Sequence, residues 1–115
     1  MPLTSKQALS LWQRALIPYV RGQSPDLSAR QMALLLSVYV EGGPHTVRGL
    51  AARLSISKPA VTRAIDALEK LEFVRRLPDE TDKRSVLVSR TVKGAVFLDR
   101  FGALIAAAAE NPLPL

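Results

Sequence analysis

The sequence predicts a mainly α-helical fold with a small β-ribbon, a winged helix-turn-helix. Three observations carry that expectation. Two helical segments with apolar stripes, VRGLAARL and KPAVTRAIDALEKLE, are separated only by a short turn at Ser55 to Ser57. Two strand-like runs, FVRRLP and RSVLVSR, follow at once around the polar loop PDETDK. Long apolar-rich helical segments stand at both ends of the 115-residue chain.

Each element has its own signal. Thr4 with Gln7 and Ser28 with Gln31 have capping-box spacing, so helices are expected near 5–20 and 28–41. Gly42, Gly43 and Pro44 stop the second helix, and Thr46 caps the third, VRGLAARL. Ser57 caps a fourth, with Pro59 in its first turn, where a missing N–H has no intrahelical partner to lose. In that helix Val61, Ala64, Ile65, Leu68 and Leu71 form one apolar stripe, and the small Ala51 and Ala52 let the third helix approach it closely. Val86 and Val88 share one face of the ribbon, and Thr91 caps a last helix from about Val92 to Asn111. We expect one domain over 1–115. Within it, 1–26 is an N-terminal helix for dimerisation, 27–90 a core with its wing at 75–90, and 91–115 a C-terminal helix and tail also for dimerisation.

Composition excludes several classes. A chain of this size with 48% apolar residues is expected to bury one core. The longest apolar run, AVFLDRFGALIAAAA, contains Asp99 and Arg100, so no membrane span is expected. The N-terminus lacks the pattern of a secretory signal, which points to the cytoplasm. There is no cysteine for a disulfide or a thiol switch, and His45 is the only histidine, so a transition-metal site is not expected and His45 reads as a solvated loop residue. No paired carboxylates, phosphate-binding glycine loop or nucleophile with a base stands out, so neither catalysis nor a cofactor is expected.

Sixteen Lys and Arg against ten Asp and Glu give a net charge of +6. A basic balance suits a polyanionic partner, and its placement is more telling than its total. From Arg48 to Arg63 the ionisable residues are Arg48, Arg53, Lys58 and Arg63, without an acid among them.

LAARLSISKPAVTRAIDALEKLEFVRR, the wing PDETDKRSVLVSRT and the segment TVKG together resemble the MarR family of bacterial and archaeal transcriptional regulators, over about Leu27 to Gly94. The most specific match is D-x-x-D-[KR]-R, met by Asp79, Asp82, Lys83 and Arg84. The resemblance implies a dimer that docks helix 58–71 in the major groove of double-stranded DNA and lays the wing, 78–85, at the minor groove. It implies a bacterial, nucleoid-associated protein. It also allows a hydrophobic effector between the terminal helices, for which no residue here speaks. Members of that family usually run longer and end with an additional helix.

The residues themselves support this reading. Ser57, Lys58, Pro59, Thr62 and Arg63 lie in the first turns of the fourth helix, where side chains reach base edges and the positive helix end favours phosphate. Arg63 is the candidate for a guanine, Thr62 for a thymine methyl or a phosphate, and Lys58 and Ser57 for phosphate, with Arg48 also assigned to DNA. Lys83 and Arg84 suit a narrow minor groove, with Asp79 and Asp82 supporting the wing. Of Arg75 and Arg76, one is expected to meet phosphate and the other to fold back over Glu69 or Glu72; Arg76 is assigned to DNA. Asp66 reads as solvated or as a partner of Lys70. The terminal helices carry more apolar surface than one small core needs, so Leu9, Trp12, Leu16, Phe101, Leu104 and Ile105 are expected in a homodimer interface. The same fold also serves as a protein-interaction module or a non-specific architectural DNA binder, and those are the alternatives.

Overall fold

A computed structural model describes residues 2–115. Its elements are α1 (Ser5–Arg21), α2 (Ala29–Val40), α3 (Val47–Leu54), α4 (Lys58–Lys70), β1 (Val74–Pro78), β2 (Val86–Arg90) and α5 (Val92–Glu110). They fall into two compact units. One holds Leu27–Phe97; the other holds the described residues up to Asp26 with Leu98–Leu115, so α5 begins in the first and continues into the second.

The helix starts follow from their caps. The Thr4 and Ser28 hydroxyls accept from the backbone of Gln7 and Gln31, and each glutamine returns a bond to its cap residue. Thr46 Oγ1 accepts from Gly49 N–H at 2.9 Å and Ser57 Oγ from Ala60 N–H at 3.2 Å. Such bonds satisfy donors that a helix start leaves open.

α2 stops before Gly42, Gly43 and Pro44 as expected, whereas α3 and α4 end without a glycine or proline signal. At the end of α3, Ser55 takes a left-handed conformation (φ 53°), with its N–H bonded to Ala52 O and that of Ile56 to Ala51 O. Glu72 does the same after α4 (φ 63°), with Glu72 N–H to Glu69 O and Phe73 N–H to Leu68 O. Both are Schellman motifs built without glycine. The second ends α4 at Lys70, two residues short of the expected helix, and drives Phe73 into the core beside Leu68.

In the larger unit, Leu34, Leu35 and Val38 of α2, Leu50 of α3, and Val61, Ala64, Ile65 and Leu68 of α4 are buried together with Phe73, Val74 and Val88. Leu71, the last residue of the expected stripe, is only half-buried. β1 and β2 pair antiparallel from Val74↔Arg90 to Pro78↔Val86. Val88 is buried while Val86, on the same face but nearer the tip, is exposed. The ribbon gains a bridge from Thr46 to Leu87, with Val88 N–H donating to His45 O at 2.9 Å, and so draws the start of α3 against the wing.

Tyr39 joins α2, β1 and α5. Its hydroxyl accepts from Thr91 N–H and donates to Phe73 O, both at 2.8 Å. Gly94 passes so close that a Cβ there would lie 2.1 Å from the Tyr39 hydroxyl and 2.3 Å from Phe73 O, so only glycine fits. Arg90 stacks on the Tyr39 ring at 5.7 Å and donates to Val38 O at 2.9 Å at the end of α2.

In the other unit Phe101 is 4% exposed, edge-on to Trp12 and Tyr19 with centroids at 5.9 and 5.3 Å. Tyr19 donates to Pro25 O, and Arg14 donates to the carbonyls of Ala108, Asn111 and Pro112 at the end of α5, where a cation meets the negative end of the helix. Phe101, expected at a dimer interface, is thus an internal residue: its ring is covered within the chain. Leu9 (73%) and Trp12 (46%) are exposed, and Leu16, Leu104 and Ile105 half-buried. Among the described residues no helix is long and apolar enough to cross a membrane.

Candidate nucleic-acid interface

The start of α4 presents the residues that its sequence suggested. Lys58, Pro59 and Arg63 are exposed and Thr62 half-buried, while Ala60, Val61 and Ala64 between them are buried. Ser57 Oγ accepts one bond at the cap, and its O–H has no acceptor among the described residues. Arg48, the second residue of α3, is exposed.

The structure sorts the cations by what already holds them. Arg53, within the acid-free window, is paired across space with Glu41 at 2.9 Å, which raises its pKa through the side-chain hydrogen bond. Arg76 is engaged by Glu69 and Asp66 at 2.8 and 2.6 Å. Arg76 is therefore the strand arginine that folds back, and Arg75 is the exposed one, the reverse of the expected assignment. Asp66 pairs with Arg76 and not with Lys70. By contrast, the side chains of Arg48, Lys58, Arg63, Lys83 and Arg84 make no ion pair or hydrogen bond among the described residues.

Three of these five cations converge. Arg48, Lys58 and Arg84 line one hollow of about 240 Å³ with Thr46, Val47, Asp82, Ser85 and Val86. The Thr46–Leu87 bridge explains the convergence, because it brings the start of α3 beside the wing while the short turn brings the start of α4 beside α3. Arg63, Thr62 and Lys83 lie outside this hollow.

The wing's aspartates act on the backbone. Asp79 Oδ1 accepts from Thr81 Oγ1 and N–H at 2.7 and 3.0 Å, which holds its carboxyl below the usual carboxylate range. Asp82 Oδ1 accepts from Arg84 N–H at 3.0 Å, so it shapes the turn from which Arg84 projects without gripping the guanidinium. His45 is half-buried, with Nε2 3.0 Å from Glu41 O, and not the solvated residue expected. No group of three His, Cys, Asp or Glu among the described residues could hold a metal ion. Sequence reasoning did not single out Tyr39, Arg90 or Glu41. Their partners lie up to 52 residues away, and no local spacing announces them.

Comparison with known proteins gives one pattern. The model of the MarR family matches residues 27–86. The HTH-type transcriptional regulator PecS of Dickeya dadantii is 32% identical over 76 residues, 64% of this chain and 46% of PecS. A mutant MarR from E. coli complexed with operator DNA has a similar structure at a TM-score of 0.66 and 31% identity, covering 87% of this chain and 65% of that one. The S. aureus MepR–DNA complex superposes at 0.73 over 92% of this chain and 82% of that one, and at 19% identity the likeness is one of fold. The chain spans about half the length of the curated relatives it matches.

Proposed function

The chain belongs to the MarR family, and on that premise we propose that it is a transcriptional regulator binding double-stranded DNA sequence-specifically. The observation that carries the reading is the set of five cations at the starts of α3 and α4 and on the wing that have no partner among the described residues, three of them around one hollow. Free cations can replace the counterions of a phosphate backbone, whereas cations already paired release little. The similar MarR from E. coli on operator DNA supports the same reading.

In this reading α4 enters the major groove. Arg63 bonds two acceptors of a guanine, and Thr62 touches a thymine methyl or a phosphate. Lys58, Arg48 and the Ser57 hydroxyl hold phosphate beside the positive helix ends. Lys83 and Arg84 approach the minor groove, and Arg75, not Arg76, is the strand arginine that meets phosphate. Leu9 and Trp12, with Leu16, Leu104 and Ile105 beside them, form the apolar face that a second copy covers, so that two recognition helices read a dyad-symmetric site. The reading assigns the protein no catalytic step and no cofactor.

Selection from a random duplex library tests it. The expected product is a dyad-symmetric motif with half-sites about 10 base pairs apart, bound more tightly than random duplex. Equal binding to all sequences would leave an architectural binder, and no binding at moderate salt would favour a protein-interaction module.

A further inference from the structure

One cluster of charges ties the wing to the recognition helix. Arg76 Nη2 lies 2.6 Å from Asp66 Oδ1 and 2.8 Å from Glu69 Oε1. Its Nε donates to the same Glu69 oxygen at 3.1 Å, and its backbone N–H donates to Glu69 Oε2 at 2.9 Å. Glu69 therefore grips both the main chain and the side chain of one residue of β1. That double grip sets the position of the strand as well as the rotamer of the arginine, and a planar guanidinium meets two carboxylates with a directionality that lysine lacks. Hydrogen bonds from Arg76 hold the Glu69 carboxyl below its ordinary range, and the Glu69 bond raises Arg76 in turn.

The location gives the cluster its meaning. Asp66 follows Thr62 and Arg63 by about one turn of α4, on the helix that carries the proposed base contact. Arg76 lies on the strand that leads into the turn bearing Lys83 and Arg84. Ion pairs this exposed add little to stability by themselves, so their main consequence is geometric.

We infer that Arg76, Glu69 and Asp66 are positioning residues that hold the wing at a set angle to α4, so that Arg84 reaches the groove beside the one α4 occupies. The inference rests on the DNA-binding reading above. Without the cluster the ribbon keeps its bridge from Leu87 to Thr46 but loses its tie to α4, and the freedom it gains has to be removed on the duplex, which offsets part of what Arg84 contributes to affinity.

A double-mutant cycle on duplex DNA separates this role from a merely structural one. Affinity is measured for the wild type and for Glu69→Gln, each also carrying Arg84→Ala or, as a control on α4 itself, Lys58→Ala. The loss caused by Arg84→Ala should shrink by about threefold or more in the Glu69→Gln background, the size expected of coupled residues, while the loss caused by Lys58→Ala stays the same. The negative charge removed with Glu69 enters every arm equally and cancels. A general loss of stability would affect both probes alike. Equal losses from Arg84→Ala in both backgrounds overturn the positioning role and leave DNA binding standing; a wild type that binds no duplex overturns both. If circular dichroism shows Glu69→Gln unfolded, Asp66→Asn, which leaves the Glu69 grip intact, carries the same cycle with a smaller coupling, and strict additivity there overturns the inference.

Discussion

A side chain's neighbours in space, more than its type, decide what it is free to do. Arg53 and Arg63 sit in the same acid-free stretch, yet Glu41 holds the first and nothing among the described residues holds the second. Arg63→Ala is therefore expected to cost about 1–3 kcal/mol on the selected duplex and to relax preference at one base position. Lys58→Ala should weaken all duplexes alike. Parallel titrations on the selected and on shuffled sequences check both, and an Arg63 variant with an unchanged preference profile would remove its base-reading role. The exposure of Lys58 and Arg63 was legible in the sequence, because the stripe of Val61, Ala64, Ile65 and Leu68 leaves them the outer face. The fate of Arg76 was not. Alternation along a strand says that Arg75 and Arg76 point opposite ways, but which way is inward depends on how the strand packs on α4.

At the scale of elements, helix starts were readable, as was the stop of α2 before Gly42, Gly43 and Pro44, but the turns that close α3 and α4 were not. Thr4, Ser28, Thr46, Ser57 and Thr91 all cap as their types suggest. The left-handed residues that end α3 and α4 are a serine and a glutamate, where glycine would have announced the turn. Glu72→Gly should relieve left-handed strain of about 1 kcal/mol, partly offset by the added freedom of the unfolded chain, so denaturant unfolding should show equal or slightly greater stability. A clear loss would show that the Glu72 side chain matters more than its backbone. Gly94→Ala should behave oppositely. The new methyl has to displace the Tyr39 hydroxyl or the Phe73 carbonyl, an overpacking expected to cost about 1–3 kcal/mol or more by the same measurement.

The grip of Glu69 on Arg76 also predicts a pH dependence. Because the folded carboxyl stays ionised below the pH at which an unfolded glutamate protonates, its contribution is fully present above the ordinary carboxylate range. It is lost as pH falls through the lowered folded value. Acid unfolding of Glu69→Gln should lack that component, leaving a smaller difference from the wild type at low pH than at neutral pH.

For the whole molecule, the order of elements and the winged helix-turn-helix were legible from caps, apolar stripes and turn residues. The bridge from Thr46 to Leu87 was not, because a single pair across 41 positions leaves no periodic trace. That bridge, together with the short turn between α3 and α4, gathers Arg48, Lys58 and Arg84 around one hollow. The terminal helices show the limit of reading apolar content alone. Phe101 is internal, while Leu9 and Trp12 remain exposed as candidates for contact with a second copy. Leu9→Glu should then lower the sedimentation mass at micromolar concentration without unfolding the chain.

The most direct test of DNA binding through these free cations is a salt titration of duplex affinity, comparing the wild type with a variant in which Arg48, Lys58 and Arg84 are all alanine. For each phosphate that the variant no longer neutralises, the slope of log K against log salt should become shallower by about one unit per subunit, with affinity falling for every duplex. A triple variant that stays folded by circular dichroism and keeps the wild-type affinity and slope would contradict it.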